Sequence, residues 1–370
     1  MESRYIHIHF DALAHNFNAV KQRVNSSLVM PIVKANAYGH GLVESALFLQ
    51  SRGADYLGVA LIEEALQLRR AGITIPILAL GSMTVEQIPI FLKYNIDIMA
   101  ASIDKLRLIN ECAQVYKTIA RVHLKIDTGL GRIGMRSSSA EQLFKAALSY
   151  KNIAIIGVAS HFATADEQDT QFMQEQCERF YQATLFFEKH HLPMPIRHIA
   201  NSGAILQYPE SHFDMVRPGI MLYGVYPQSW MKSLCALQPV MSLYARVVYF
   251  KVLLEGSGIS YGLNWKTKQN TRIITLPIGY GDGYPRALSN KGQVLVNGIK
   301  YPIVGNICMD QMMVDIGKGQ AFNGDEVVLI GKSGDQEITI NDLVDSYNAS
   351  PYEILVLLNS RITRHYLYPH

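Results

Sequence analysis

Between about residues 28 and 225 the chain repeats one pattern: a short apolar run, then a segment with apolar residues at helical spacing. The runs are SLVMPIVK (27–34), DYLGVAL (55–61), IPILAL (75–80), NIDIMA (95–100), ARVHLKID (120–127), IAIIGVASH (153–161), IRHIA (196–200) and DMVRPGIMLYG (214–224). Parallel strands buried on both faces read as continuous apolar runs of this kind. The segments LVESALFLQSRG (42–53) and LIEEALQLRRAG (61–72) read as helices stopped by glycine. Strands and helices in this alternation predict a (β/α)8 barrel of the TIM type over residues 9–235.

The pattern changes after about Leu237. YARVVYFKVL (244–253), TRIITLPIGY (271–280), GQVLVNGIKYPIVG (292–305), QMMVDIG (311–317) and DEVVLIGK (325–332) follow one another with short Gly/Asn turns. No full-length helix is predicted between them, so residues 236–370 read as a mostly antiparallel β domain. The opening YIHIHFDAL alternates like a strand, and residues 1–8 are expected to pair with that domain. The fold class is therefore α/β: an N-terminal barrel followed by a C-terminal β domain.

Composition narrows the function. With 49% hydrophobic and 18% charged residues in 370, the chain suits a globular enzyme with a large core. The net charge of +3 is spread without like-charge blocks, which argues against nucleic acid or a membrane surface as partner. No apolar run reaches the ~18–20 residues that cross a bilayer, and MESRYIHIHFDALAHNF lacks the apolar stretch of a signal peptide. Cys112, Cys177, Cys235 and Cys308 lie far apart, which disfavours a disulfide framework or a zinc site. The expectation is a cytoplasmic enzyme with reduced thiols, no metal and a small-molecule substrate.

In a barrel, chemistry sits where strands end and loops begin. Lys34 ends the first apolar run, inside PIVKANAYGHG (31–41). Partial burial lowers a lysine's pKa and frees a nucleophilic amine; an ordinary strand-end lysine with its amine in water is the competing reading. Tyr38 follows in the loop, either as a site residue or as a half-buried aromatic. In VHLKIDTGLGRIG (122–134), Gly129, Gly131 and Gly134 match a dinucleotide fingerprint, but no acidic residue follows at the required distance, and Arg132 reads better as an anion clamp. Ser202 in NSGA and the backbone of Gly219 and Ile220 in RPGI follow the late strands, where barrels often hold phosphate; a plain cap and a plain turn are the alternatives. GISYGLNW (258–265), with Tyr261 between glycines, GYGDGYPR (279–286), with Tyr280 and Arg286, and NICMDQMMVD (306–315), with Cys308, Met309 and Asp310, are unusual loops of the β domain.

Taken together these segments resemble the alanine racemase family, enzymes that use pyridoxal 5′-phosphate (PLP) to interconvert L- and D-alanine. The likeness covers about residues 5–366. PIVKANAYGHG is similar to that family's cofactor-lysine signature, and HLKIDTGLGRIG, GVASHFATAD, NSGA, RPGIMLYG, SYG, GYGDGYPR and NICMDQMMVD follow in family order. The resemblance implies a head-to-tail homodimer with shared active sites. It implies that Lys34 holds PLP covalently. Tyr38, Ser202, Tyr352 and the backbone at Gly219 and Ile220 would contact the phosphate. His161 would stack near the pyridine ring, Arg217 would face the ring nitrogen, and Arg132 would orient the phenolate side. Tyr261, Met309 and Asp310 would reach the site from the partner, Cys308 would line it, and Tyr280 and Arg286 would support it. Lys125 corresponds to a position where some members carry a carbamylated lysine.

The implied reaction takes a proton from one face of Cα and returns one to the other, with Lys34 and Tyr261 as the two bases. Tyr261, Tyr352 and Met309 predict a pocket sized for a methyl group, and slow turnover of serine fits the limits of steric discrimination. An arginine facing the ring nitrogen argues against a decarboxylase of the same fold, which needs an acid there. A broad-specificity periplasmic racemase should carry a signal peptide. A non-catalytic PLP-binding protein is usually a bare barrel. Sequence leaves open whether the D-alanine serves cell-wall synthesis or catabolism.

Overall fold

The computed structural model describes residues 2–369. Strand β1 (Arg4–His9) leads into a helix at Phe10–Arg23. The barrel strands follow: β2 (Leu28–Val29), β3 (Leu57–Val59), β4 (Ile77–Ala79), β5 (Asp97–Ala100), β6 (Ala120–Asp127), the short β7 (Met135–Arg136) at the mouth, β8 (Ile153–Ala159), β9 (Ile196–His198) and β10 (Met215–Val216). β3, β4, β5, β6, β8 and β9 form one parallel sheet in that order, with β7 paired to β6. β10 pairs with β2 in parallel. Val33 N–H to Gly58 O (2.9 Å) ties β2 to β3, and Arg217 N–H to Ala200 O (2.9 Å) ties β10 to β9. Together these bonds close the barrel, so no strand edge is left open.

Two of the helices that follow barrel strands are capped by a side chain. Ser102 Oγ accepts from Lys105 N–H at the start of the helix Ile103–Val115, and Asn201 Oδ1 accepts from Ala204 N–H at the start of Ser202–Gln207. One predicted strand is corrected. DMVRPGIMLYG is extended only over Met215–Val216 and then turns into a 3-10 helix at Ile220–Tyr223. Pro218 has no N–H for a ladder, and Gly219 (φ −116°, ψ −101°) turns the chain across the barrel mouth.

The second unit holds β11 (Met241–Arg246), β12 (Tyr249–Leu253), the ribbon β13 (Gly258–Ile259) with β14 (Trp265–Lys266), β15 (Thr271–Leu276), β16 (Gln293–Val296), β17 (Ile299–Val304), β18 (Met312–Gly317), β19 (Glu326–Ser333), β20 (Gln336–Ile338) and β21 (Thr363–Leu367). Its main sheet runs β12-β15-β18-β17-β16-β19-β11-β1-β21. Every pair on that path is antiparallel except β1 with β21. The run 244–253 is thus split between two strands. Two helices, Ile340–Tyr347 and Pro351–Leu357, follow β20. The first has a reciprocal cap between Thr339 and Asp342, and the second begins on a proline.

Candidate active site

The segment after Lys34 has an unusual backbone. Ala35, Asn36, Ala37 and Tyr38 all have φ between 52° and 56°, and Gly39 follows at 82°. This is a left-handed helical turn, which costs roughly 1–2 kcal/mol per non-glycine residue. The surroundings hold it. Ala37 N–H donates to Val33 O (2.8 Å) and Gly39 N–H to Ala35 O (3.1 Å). Ala35 N–H donates to Glu64 Oε1 (2.7 Å), and Asn36 Oδ1 accepts from Leu42 N–H (2.9 Å). The C-terminal segment clamps the far side: Arg364 Nε donates to Gly39 O at 2.7 Å, and a methyl on Gly39 would lie 2.3 Å from Leu355 O. Residues four apart share one side of a helical turn, so Lys34 and Tyr38 face the same region.

Tyr38 is buried, and its ring lies 5.1 Å from Tyr223 and 6.1 Å from Tyr352. Burial raises the pKa of both Tyr38 and Tyr352, so their hydroxyls remain donors at neutral pH. A Cβ on Gly219 would fall 2.7 Å from the Tyr38 hydroxyl. Only glycine leaves that gap open. Ser202 Oγ lines the same space and accepts from Gly219 N–H at 2.9 Å. Buried Ile220 follows at the head of the 3-10 turn. Small polar groups and backbone N–H groups therefore meet at one point of the mouth, as an anion requires.

A cationic cluster faces them. Lys34 is half-buried, and its pKa is lowered, first by burial, then by the charge of Arg132; Glu64 opposes the shift and Arg217 adds to it. Lys125 on β6 is buried, and its pKa falls well below the ordinary lysine value from burial and from Arg217 and Arg132. Arg132 itself is exposed on the loop after β6. In that loop Asp127 Oδ1 accepts from Gly129 and Gly131 N–H, and Gly134 packs against the Asp127 backbone. The glycine fingerprint thus shapes a barrel loop and no dinucleotide turn.

Arg217 is buried and held on several sides. Nη1 donates to His198 Nδ1 (2.9 Å) and His198 O (2.7 Å); Nη2 donates to Ser160 O (2.7 Å), Ile199 O (3.0 Å) and His161 Nδ1 (3.1 Å). Among the described residues, Nε–H is the guanidinium donor left without a protein acceptor. Arginine always donates, so His161 presents Nδ1 as an acceptor. Burial and the charge of Arg217 lower the His161 pKa far enough to keep the ring neutral.

The remaining predicted residues form a second group, on the β domain. Tyr261 is 74% exposed and Met309 54% exposed, with Leu263 and Tyr280 also on the surface. Asn306 Nδ2 donates to Tyr261 O (2.7 Å), and Ser260 Oγ donates to Asn306 O (2.7 Å), close to Cys308 Sγ at 3.5 Å. Asp310 accepts from Arg361 (2.6 Å). Arg286 is exposed. Tyr261, Cys308, Met309, Asp310 and Tyr280 thus share one rim of the β domain. Lys34, Tyr38, Lys125, Arg132, His161, Ser202, Arg217, Gly219, Ile220 and Tyr352 gather at the barrel mouth. Among the described residues, Tyr261 makes no hydrogen bond to any barrel-mouth residue of its own chain.

Sequence reading missed several partners. Asp282 of GYGDGYPR is fully buried and takes Arg4 (3.1 Å) and Arg361 (3.4 Å), so that motif anchors β1 and the C-terminal segment to the rim. Arg364 and His198 were also missed.

Comparison with known proteins identifies the family and the fold. Residues 8–227 match the family described as alanine racemase, N-terminal domain, and residues 240–366 match its C-terminal domain. The chain is similar to the alanine racemase of Halothermothrix orenii, with 42% identity covering 97% of this chain and 95% of that one. It is 41% identical to the alanine racemase of Carboxydothermus hydrogenoformans, covering 99% and 100%. The crystal structure of alanine racemase from D-cycloserine-producing Streptomyces lavendulae superposes with a TM-score of 0.96 at 36% identity, covering 100% of this chain and 98% of that one.

Proposed function

The chain belongs to the alanine racemase family and is an isomerase that interconverts L- and D-alanine; we propose that it does so on PLP held at the barrel mouth, with Lys34 and Tyr261 as bases on opposite faces of the substrate. The observation that carries this reading is the open cradle of Gly219, Ser202 and Tyr38 beside a lysine with a lowered pKa. The residues present fit the cofactor. When bound, PLP supplies the electron withdrawal that makes the substrate's Cα proton removable.

Lys34 attaches the cofactor, and its lowered pKa supplies the neutral amine both for attachment and for accepting a proton. Tyr38, Ser202, Tyr352 and the backbone at Gly219 and Ile220 would hold the phosphate; Ser202 Oγ accepts from Gly219 N–H and keeps its own hydrogen to donate. Arg217 would offer its Nε–H to the ring nitrogen and donate a hydrogen bond without giving up its proton. His161 would line the ring's site as a neutral imidazole. Arg132 orients the substrate side. Lys125 supports it; its buried neutral amine is suited to add CO2 as a carbamate, releasing a proton and meeting Arg132 with a negative charge.

Tyr261, Met309 and Asp310 complete the site of a second copy, with Cys308 lining it and Tyr280 and Arg286 in support. The exposure of Tyr261, Met309, Leu263 and Tyr280 supports that assignment, because large apolar surface of this kind marks an interface. The protein is read as a cytoplasmic homodimer, with 9–235 as the cofactor-binding unit and 236–370 as the β domain. No helix among the described residues is long and apolar enough to cross a membrane.

Borohydride reduction followed by peptide mapping tests the reading. A pyridoxyl mark on Lys34 is expected, together with deuterium incorporation at Cα of both alanine enantiomers. A mark elsewhere, or none, overturns it.

A further inference from the structure

A line of buried polar side chains leaves the active site and runs into the barrel. Arg217 Nη1 donates to His198 Nδ1 at 2.9 Å. The other nitrogen of that ring, His198 Nε2, lies 2.9 Å from His123 Nδ1. His123 Nε2 lies 3.4 Å from Asp97 Oδ2. At the far end Asp97 accepts from Arg121 Nε (2.7 Å) and from the Tyr56 hydroxyl (2.7 Å). His198 and His123 are 0% exposed, Asp97 1% and Arg217 4%. The two imidazoles contact neither substrate nor cofactor in the mechanism above.

The chain has one direction. An arginine N–H can only donate, so His198 Nδ1 carries no hydrogen and its proton sits on Nε2. That proton faces His123 Nδ1, which must accept, so the His123 proton sits on Nε2, on the side of Asp97, where the 3.4 Å approach is an electrostatic contact and not a formed hydrogen bond. The fixed donor at the active site sets both tautomers, and the Asp97 charge favours the proton that faces it. Burial lowers the pKa of both rings, with Arg217 adding to the shift at each and Asp97 opposing it at His123.

We propose that Asp97, His123 and His198 are positioning residues that lock Arg217 in place through this one-way chain, leaving Nε–H to meet the acceptor atom of the cofactor ring. The proposal rests on the reading that Arg217 faces that ring. A carboxylate placed directly on Arg217 would cancel much of its field at the mouth. Two neutral rings hold the same orientation while keeping the negative charge at a distance, where its Coulomb effect on the mouth is smaller. Arg217 then remains a cation beside Lys34, Lys125 and Arg132, consistent with its part in lowering the pKa of both lysines.

Two measurements test this. In 15N-histidine spectra of the protein without substrate, His123 and His198 should both show the Nε2–H tautomer and stay neutral from about pH 6 to 9. An Nδ1–H form at either ring overturns the proposal. The second measurement compares His123→Leu, His123→Gln and Arg217→Ala in the PLP-loaded enzyme. His123→Leu should lower kcat on the order of 10-fold, with KM and cofactor affinity unchanged, and raise the fraction of turnovers lost to transamination. His123→Gln keeps an acceptor and a donor on one side chain and should restore most of the loss. Wild-type kcat and partitioning in a folded His123→Leu protein overturn the chain, as does a loss that Gln fails to rescue. If the Leu variant does not fold, the tautomer spectra and Asp97→Asn, expected to alter the same partitioning, decide. An Arg217→Ala protein with unchanged kcat and cofactor absorbance instead sinks the underlying placement of Arg217, a separate outcome from failure of the chain.

Discussion

The barrel mouth and the β-domain rim are built on opposite principles. At the mouth, side chains are buried, cations crowd together, and a left-handed turn is held under strain by the C-terminal segment. At the rim, Tyr261, Met309 and Tyr280 stand in solvent on short loops and make few contacts. The mouth is organised before anything binds. The rim has the exposure of a surface waiting for a partner. On the proposed reading the base with the lowered pKa stands on the buried wall and the opposing phenol comes from a second chain, which makes full activity depend on assembly.

The largest expected effect separates the two bases. Lys34→Ala and Tyr261→Phe should each lower racemisation by about a thousand-fold or more. Residual Cα deuterium exchange should favour opposite alanine enantiomers in the two variants, and the same preference in both would break the two-face picture. Next comes the cradle. Gly219→Ala puts a methyl 2.7 Å from the Tyr38 hydroxyl. Crowding of about 1–3 kcal/mol should weaken PLP binding roughly 5- to 160-fold by fluorescence titration of the apoprotein. Unchanged affinity would remove the phosphate from that position.

Stability sharpens the contrast further. Gly39→Ala meets Leu355 O at 2.3 Å with φ at 82°, and should cost about 1–3 kcal/mol in denaturant unfolding. Tyr261→Phe removes only an exposed hydroxyl and should stay within about 0.5 kcal/mol. Equal costs would contradict the division into strained wall and free rim.

The smallest effect is electrostatic. The Lys34 pKa is lowered from 10.5. As pH rises, its neutral amine therefore appears earlier than in free lysine. Acylation of the apoprotein at Lys34, followed by peptide mass, should show a midpoint below 10.5 that moves upward in Arg132→Ala. A midpoint unaffected by that change would remove Arg132 from the cluster.

Much of the mouth was legible in the chain because a few polar residues follow apolar runs where packing alone does not call for them. Lys34, Ser202 and Arg217 stand out on that basis. The left-handed turn was not legible: Ala35, Ala37 and Tyr38 disfavour it locally, and part of what sustains it comes from distant residues, Glu64 on Ala35 N–H and Arg364 on Gly39 O. His123 and His198 each break an apolar run, yet they lie 75 residues apart and meet only once the barrel closes. Tyr261 had no local signature beyond flanking glycines. Its role came from resemblance, and its exposure in one chain agrees with a function completed in another.

Subunit mixing tests that division most directly. Lys34→Ala and Tyr261→Phe proteins, each inactive alone, are unfolded, mixed and refolded together. If sites are shared between copies, half of the random dimers carry one intact site, and activity should recover to about a quarter of wild type. Recovery of no activity from a properly refolded mixture would mean that Lys34 and Tyr261 of the same chain serve one site, and would contradict the account.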